Sequence, residues 1–383
     1  MESNDNENYI ILLLDPRGII FQGGADVAAR QNLYGRQLKI QSKNTKVQYM
    51  IFSSDNHMKS YGEFKYVNIF RISKPTVNSF IFAKKSYNYI KVHNLNIKLL
   101  VAGDSWESYW SVYFLNKFLN KKIPIQIQIH GDIADPRWRR INLKNRIRFS
   151  LAKFSLLKAT NVRAVTKYQA ENLVKAFGIK RERIVVVPVP INVLSNKVSL
   201  KSNRPKAIGL VGRIHQDRGI WEFIKLVRIL NLSSKDFKVV VIGDGLSKDK
   251  FLLKLQSIIP KNRIIYLGQL HESELSSAWN RIGVLVSMAP VESYGRVIRE
   301  SLIAGVPVWA IASAGVKDLL DNCNKSEVRL LDLSKSDASL DKDFRSLLKT
   351  KVSSDFSKRF IKENNTYAAK LANSWINTIK KSK

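Results

Sequence analysis

The stretch from Ile282 to Leu319 reads IGVLVSMAPVESYGRVIRESLIAGVPVWAIASAGVKDL, and its punctuation predicts one complete α/β unit. Val284, Leu285 and Val286 form a short apolar run that stops at Pro290, the pattern of a buried strand. From about Tyr294 the apolar residues Val297, Ile298, Leu302 and Ile303 recur at helical spacing. Gly305 and Pro307 then end that helix, and a second strand begins. Two carboxylates sit in this unit, Glu292 in the loop and Glu300 inside the helix. Between them the backbone N–H groups of Gly295, Arg296 and Val297 fall at the helix N-terminus, where unpaired N–H groups and the helix dipole attract anions. A phosphate-attracting end flanked by two acids that accept hydroxyl hydrogen bonds suits a ligand that is both phosphate and polyol, as a nucleotide-sugar is.

The same alternation runs through the rest of the chain. Ala207–Val211 reads as a strand, followed by a turn holding Gly212, Arg213, Arg218 and Gly219 and by the helical run IWEFIKLVRIL. KVVVIGDG and RIIYLGQL supply two more strands, the second ending at Leu270. The polar stretch 194–205 (LSNKVSLKSNRP) reads as a linker. Before it, Tyr9–Leu14, Val47–Phe52, Lys65–Arg71, Ile97–Ala102, Pro124–Ile129, Asn161–Val165 and Arg183–Val187 read as strands. Helices are expected near 25–38, 77–89 and 168–177. Strands alternating with helices predict mostly parallel sheets covered on both faces. The domains are then 1–193 and 206–354, with a helical tail over 355–383.

The Glu-x7-Glu spacing, the Tyr294-Gly295 pair after the first Glu and the following Gly-x-Pro strand together resemble the donor-site signature of family 4 retaining glycosyltransferases (glycosyl transferases group 1). The resemblance covers nearly the whole chain and implies the GT-B fold: two Rossmann-like domains whose parallel sheets face each other across a donor-binding cleft. It implies that Glu292 contacts the donor sugar and Glu300 the ribose hydroxyls. Arg213 matches the family's phosphate-binding Arg, and Arg218 stands where a Lys is usual, which keeps the charge but changes its shape. Gly23 and Gly24, in the turn after the first strand, would face the donor phosphates. His130, in His130-Gly131-Asp132 at a strand end, would reach the sugar near the reacting carbon, with Asp132 capping the segment that follows. Leu270 would lie beside the base. Two departures stand out: Pro190-Ile191-Asn192 where Asn-Gly-Val-Asp is common, and Asp318 where a Glu often follows the glycine. The resemblance implies no metal and no cofactor. The partners it implies are a UDP- or GDP-sugar donor and a glycan or lipid-linked acceptor, with a default role in cell-envelope polysaccharide or lipopolysaccharide synthesis.

Charge adds a separate expectation. The chain of 383 residues carries 64 Lys+Arg against 31 Asp+Glu, a net +33, which calls for a polyanionic partner. One cysteine, Cys323, rules out an intramolecular disulfide and a cysteine-cluster zinc site. The polar, acidic N-terminus and the short apolar runs predict neither a signal peptide nor a membrane span, hence a cytoplasmic protein, soluble or peripheral on the inner membrane. Residues 138–158 explain the charge best: Leu143, Ile147, Leu151 and Phe154 recur at helical spacing among many Arg and Lys, beside Trp138. On pattern alone that reads first as a core-packing helix with a basic solvent face, and otherwise as an element for an anionic membrane surface. Two rival functions remain open on sequence alone. One is a basic nucleic-acid-binding protein, against which stands the absence of any recognised nucleic-acid motif. The other is a relative that transfers nothing, such as a nucleotide-sugar epimerase.

Overall fold

The computed structural model describes residues 9–22, 25–42, 46–54, 64–191, 204–233 and 236–381. The chain divides into two compact units, Met1–Pro190 with Asn364–Lys383, and Ile191–Glu363. Each unit is built on a parallel sheet.

In the first unit the strands are β1 (Tyr9–Asp15), β2 (Val47–Ser53), β3 (Asn68–Arg71), β4 (Ile97–Ala102), β5 (Ile125–Gln128), β6 (Asn161–Ala164) and β7 (Ile184–Val186). Their order is β3-β2-β1-β4-β5-β6-β7, every neighbouring pair parallel. Side chains alternate across β1, so Ile10, Leu12 and Leu14 enter one core and Ile11 and Leu13 the other. Burial on both faces is why these strands read as unbroken apolar runs rather than alternating ones. Helices Ser79–Val92, Glu107–Phe118 and Leu143–Lys158 cover the first face. The other is covered by helix Ala25–Gln41 and by the end of helix Ser354–Lys380, through Ala368, Leu371 and Trp375. Trp375 is fully buried, packs on Tyr49 with ring centres 5.0 Å apart, and donates its indole N–H to the Gln126 side-chain oxygen at 2.7 Å.

In the second unit β8 (Ala207–Val211), β9 (Lys238–Ile242), β10 (Ile264–Gly268), β11 (Val284–Ser287), β12 (Val308–Ala310) and β13 (Val328–Leu330) are ordered β10-β9-β8-β11-β12-β13, again all parallel. Phe223, Val227 and Leu230 of helix Ile220–Ser233 and Phe344 and Leu347 of helix Asp337–Lys349 close a core over Ile208, Val239, Val284 and Trp309.

Both sheets reverse direction beside their first strand, between β1 and β4 and between β8 and β11. At such a switch point the connections leave in opposite directions, and a crevice opens beyond the carboxyl ends of the strands.

Candidate active site

A pocket of the second unit opens at its switch point. It measures about 330 Å³ and is walled by the turn after β8, the end of β11 and helix Arg296–Ile303. Gly219 makes this junction: it is left-handed at φ 68°, and a Cβ there would fall 2.1 Å from the Met288 carbonyl oxygen. Only a glycine lets the two loops approach so closely. The approach carries Arg218 to Glu292, with Nη1 3.0 Å from Oε2. The other Glu292 oxygen accepts the Gly295 N–H at 3.1 Å. Glu292 is thereby held from both sides and aimed into the pocket before any ligand arrives.

Gly295 is the N-cap of the helix, left-handed at φ 73°, and having no side chain it makes no cap bond of its own to the first turn. The sequence expectation offered three N–H groups here to an anion; Glu292 takes the one on Gly295. Arg213, Arg218, Gly295, Arg296, Val297, Glu292 and Glu300 all line the pocket. Arg296 lies 3.6 Å from Glu300 one helical turn on, and Arg213 lies 2.9 Å from Asp217. Three guanidinium groups, a helix end with a glycine N-cap and two carboxylates thus line one pocket, groups whose chemistry suits a diphosphate and hydroxyls.

Other expected residues fall elsewhere. Leu270 is half-buried beyond the end of β10 and does not line the pocket. Asp318 pairs with the buried Arg299 at 2.8 Å, and that guanidinium sits 3.8 Å over the Tyr294 ring. Asp318 thus braces the pocket's helix from behind rather than facing a ligand. Gly23, Gly24 and Asn192 lie outside the described residues. The helix after β1 is not open to phosphate: the N–H groups of Ile19 and Ile20 both donate to the Asp15 carboxylate at 3.0 Å. Burial pushes the Asp15 carboxyl up to about 6 despite those bonds.

His130 belongs to the first unit, just beyond the end of β5. Its imidazole is pulled down to about 3, by desolvation first and then by the Arg163 and Arg30 cations. His130 is exposed as a residue, and the two cations act to keep its imidazole neutral at pH 7. Gln169 holds the adjoining turn by donating to the Gly131 carbonyl at 2.9 Å. Asp132 accepts the Ala134 N–H of the segment that follows, while the helix Pro136–Arg140 beyond it is capped by Asp135; Asp132 is buried, accepts from Asn172 at 2.9 Å and is raised to about 6 by burial.

Arg163 is the residue sequence reading missed. It is fully buried in β6 and donates only to neutral oxygens: the Val187 and Pro188 carbonyls at 2.9 Å and Gln128 at 3.2 Å. Among the described residues no carboxylate pairs with it. An arginine inside the strand NVRAV was the available signal, because an unpaired cation is rarely buried without a purpose.

Residues 194–366 match the family model described as Glycosyl transferases group 1, and residues 45–193 the one described as Glycosyltransferase Family 4. The chain belongs to the group 1 glycosyltransferases. Among its relatives, the 2-deoxystreptamine glucosyltransferase of Streptomyces kanamyceticus is 26% identical over 194 residues, 48% of this chain and 49% of that protein. The match thus spans about half of that relative's own length. The solved lipopolysaccharide outer core galactosyltransferase WaaB superposes with a TM-score of 0.70 at 14% identity, over 98% of this chain and all of that one. HepE of Anabaena, solved in complex with UDP-glucose, gives 0.66 at 16% identity, over 96% of this chain and 99% of that one. These likenesses establish the GT-B fold of a group 1 glycosyltransferase.

Proposed function

We propose that this glycosyltransferase moves a sugar from a UDP- or GDP-sugar to a glycan or lipid-linked acceptor, with retention of anomeric configuration. We place it in the cytoplasm, in the synthesis of cell-envelope polysaccharide or lipopolysaccharide. The observation that carries the reading is the switch-point pocket of the second unit, lined by Arg213, Arg218, Arg296, a helix end with a glycine N-cap, Glu292 and Glu300. The structure of HepE with UDP-glucose supports the donor class, and the likeness to WaaB, a lipopolysaccharide outer core galactosyltransferase, supports the envelope role.

The chemistry follows from those charges. The bond from the anomeric carbon to the diphosphate oxygen breaks, and the arginines and helix end stabilise the charge left on the diphosphate. The acceptor hydroxyl oxygen bonds the same carbon from the same face, and its proton passes to the leaving phosphate oxygen. Glu292, fixed by Arg218 and Gly295, orients the sugar. Because guanidinium groups neutralise the diphosphate, the reaction in this reading requires no metal.

The test is a thermal-shift panel of UDP, GDP and ADP and their sugar conjugates, with EDTA or with magnesium. A ligand that binds only the folded state at about 100 times its Kd stabilises by about 2.7 kcal/mol. A base-selective shift that survives EDTA and disappears in Arg213→Ala is expected. No shift with any nucleotide, together with tight salt-sensitive binding of RNA or DNA, would overturn the reading.

A further inference from the structure

Helix Leu143–Lys158 answers the question its sequence left open. Its apolar stripe faces solvent: Leu143 is 69% exposed, Ile147 56%, and Leu151 and Phe154 40% each. The residues it buries are Asn145, Ala152, Ser155 and Leu156, mostly small or polar. The helix therefore packs by its weaker face and presents its stronger apolar face outward. The stripe does not end with this helix. Phe154 stacks on Trp110 at 5.4 Å, Trp110 lies 6.0 Å from Phe114, and Phe114 lies 5.4 Å from Phe80. This chain of rings joins three helices and ends at Phe80 and Ile81, which are again exposed.

The charge on this face has one sign. The helix from Leu143 to Lys158 carries five cations and no acid. Lys144, Arg146, Lys153 and Lys158 are exposed, and none forms an ion pair among the described residues. An exposed aliphatic ridge rimmed by unpaired cations is the signature of an element lying in a lipid interface, its apolar side chains among the acyl chains and its cations at the headgroups.

We propose that this three-helix face of the first unit docks on an anionic lipid bilayer. A second copy of the chain is a poor occupant, because two such faces would set like charges against each other. Nucleic acid is poor too: bases stack on aromatic rings, whereas the most exposed residues here are aliphatic. Lipid satisfies both the ridge and the rim. Among the described residues no helix is long and apolar enough to cross a membrane. The inference does not depend on the transfer reaction and stands or falls separately from it.

Flotation of the full chain with vesicles of phosphatidylcholine, alone or mixed with phosphatidylglycerol, tests it. Binding is expected only to the mixed vesicles, weakening as salt rises. Leu143→Asn with Ile147→Asn should lower that binding at least about 10-fold, since each side chain loses most of its transfer energy. Lys144→Gln with Lys153→Gln should lower it about 5-fold per cation. Both variants should keep the wild-type melting temperature and nucleotide response, as the altered side chains are exposed. No flotation, equal binding to neutral vesicles, or binding unchanged in both variants would overturn the proposal. So would a concentration-dependent dimer, or RNA binding, that the Leu143/Ile147 variant abolishes in place of flotation.

Discussion

The two switch points share a topology and differ in charge, and the difference separates what the fold provides from what the residues add. Beside β1 the carboxylates serve the fold. Asp15 takes the Ile19 and Ile20 N–H groups, and Asp104 takes those of Trp106 and Ser108 at 2.8 and 3.1 Å, closing the start of helix Glu107–Phe118. Arg17 and Arg148 then neutralise Asp104 and Glu107. Beside β8 the helix behind the pocket starts at Gly295, which has no side chain to cap it; Glu292 takes the Gly295 N–H, and the arginines line the pocket. A parallel sheet with a switch point makes a place for a ligand; how far a helix end is available to an anion depends on which of its N–H groups carboxylates have already taken.

The largest effect should come from the carboxylate that breaks this pattern. Glu292→Ala removes the group held between Arg218 and the Gly295 N–H and frees that N–H for the diphosphate. Turnover should fall roughly 100-fold or more, as when a preorganised polar group is lost from an active site. The melting temperature should hardly change, since Glu292 is only partly buried and supports no core. Steady-state rates with the donor identified by thermal shift decide it, and near-native turnover would reduce the contrast between the two switch points to decoration.

The capped side offers a middle-sized effect with a defined sign. The folded pKa of Asp15, about 6, stands above its ordinary 3.8, so the folded protein holds this proton more tightly than the unfolded chain. Between about pH 4 and pH 6 the folded state binds the extra proton, and stability contributed by this group falls as pH rises through that window. About two pH units correspond to about 3 kcal/mol. Asp15→Asn should flatten this slope in urea unfolding curves taken across the window. Any cost of replacing one acceptor oxygen by an amide would shift the whole curve without restoring the slope. Matching slopes in both proteins would mean that the buried carboxyl is ionised throughout.

Much of this was legible in sequence because buried parallel strands leave continuous apolar runs: β1, β4 and β8 fall where Tyr9–Leu14, Ile97–Ala102 and Ala207–Val211 were expected. Helix Glu107–Phe118 escaped notice because ESYWSVYFLNKF is aromatic all round, half of it core and half of it the ring chain, so no polar face marks a period. The pocket residues were legible as a set because Glu292 and Glu300 share one strand–loop–helix unit. What the sequence could not say was which N–H groups would be spoken for. Asp15 and Glu292 look alike as acids after a strand, and only the distances show that the first takes the N–H groups of Ile19 and Ile20 inside its helix while the second takes that of the N-cap Gly295. The stripe at Leu143 was legible as a pattern but not as a direction, because periodicity gives a face and packing decides where it points.

The smallest expected effect is the sharpest probe of how the pocket works. Arg218 holds Glu292 with one Nη at 3.0 Å, and a lysine ammonium reaches the same oxygen while keeping the positive charge. If charge is what the pocket needs, Arg218→Lys should cost no more than about 5-fold in kcat/KM, the range of a partly exposed ion pair. Arg218→Ala should lose far more, because Glu292 would then face the diphosphate with no cation between them. If instead the planar fork spans both Glu292 and a phosphate oxygen, the lysine variant should fall toward the alanine one, with the loss in kcat rather than in donor KM. The ratio of the two variants thus separates a charge that neutralises the leaving group from a fork that aligns it, a distinction that exists only at the switch point whose helix starts at a glycine N-cap.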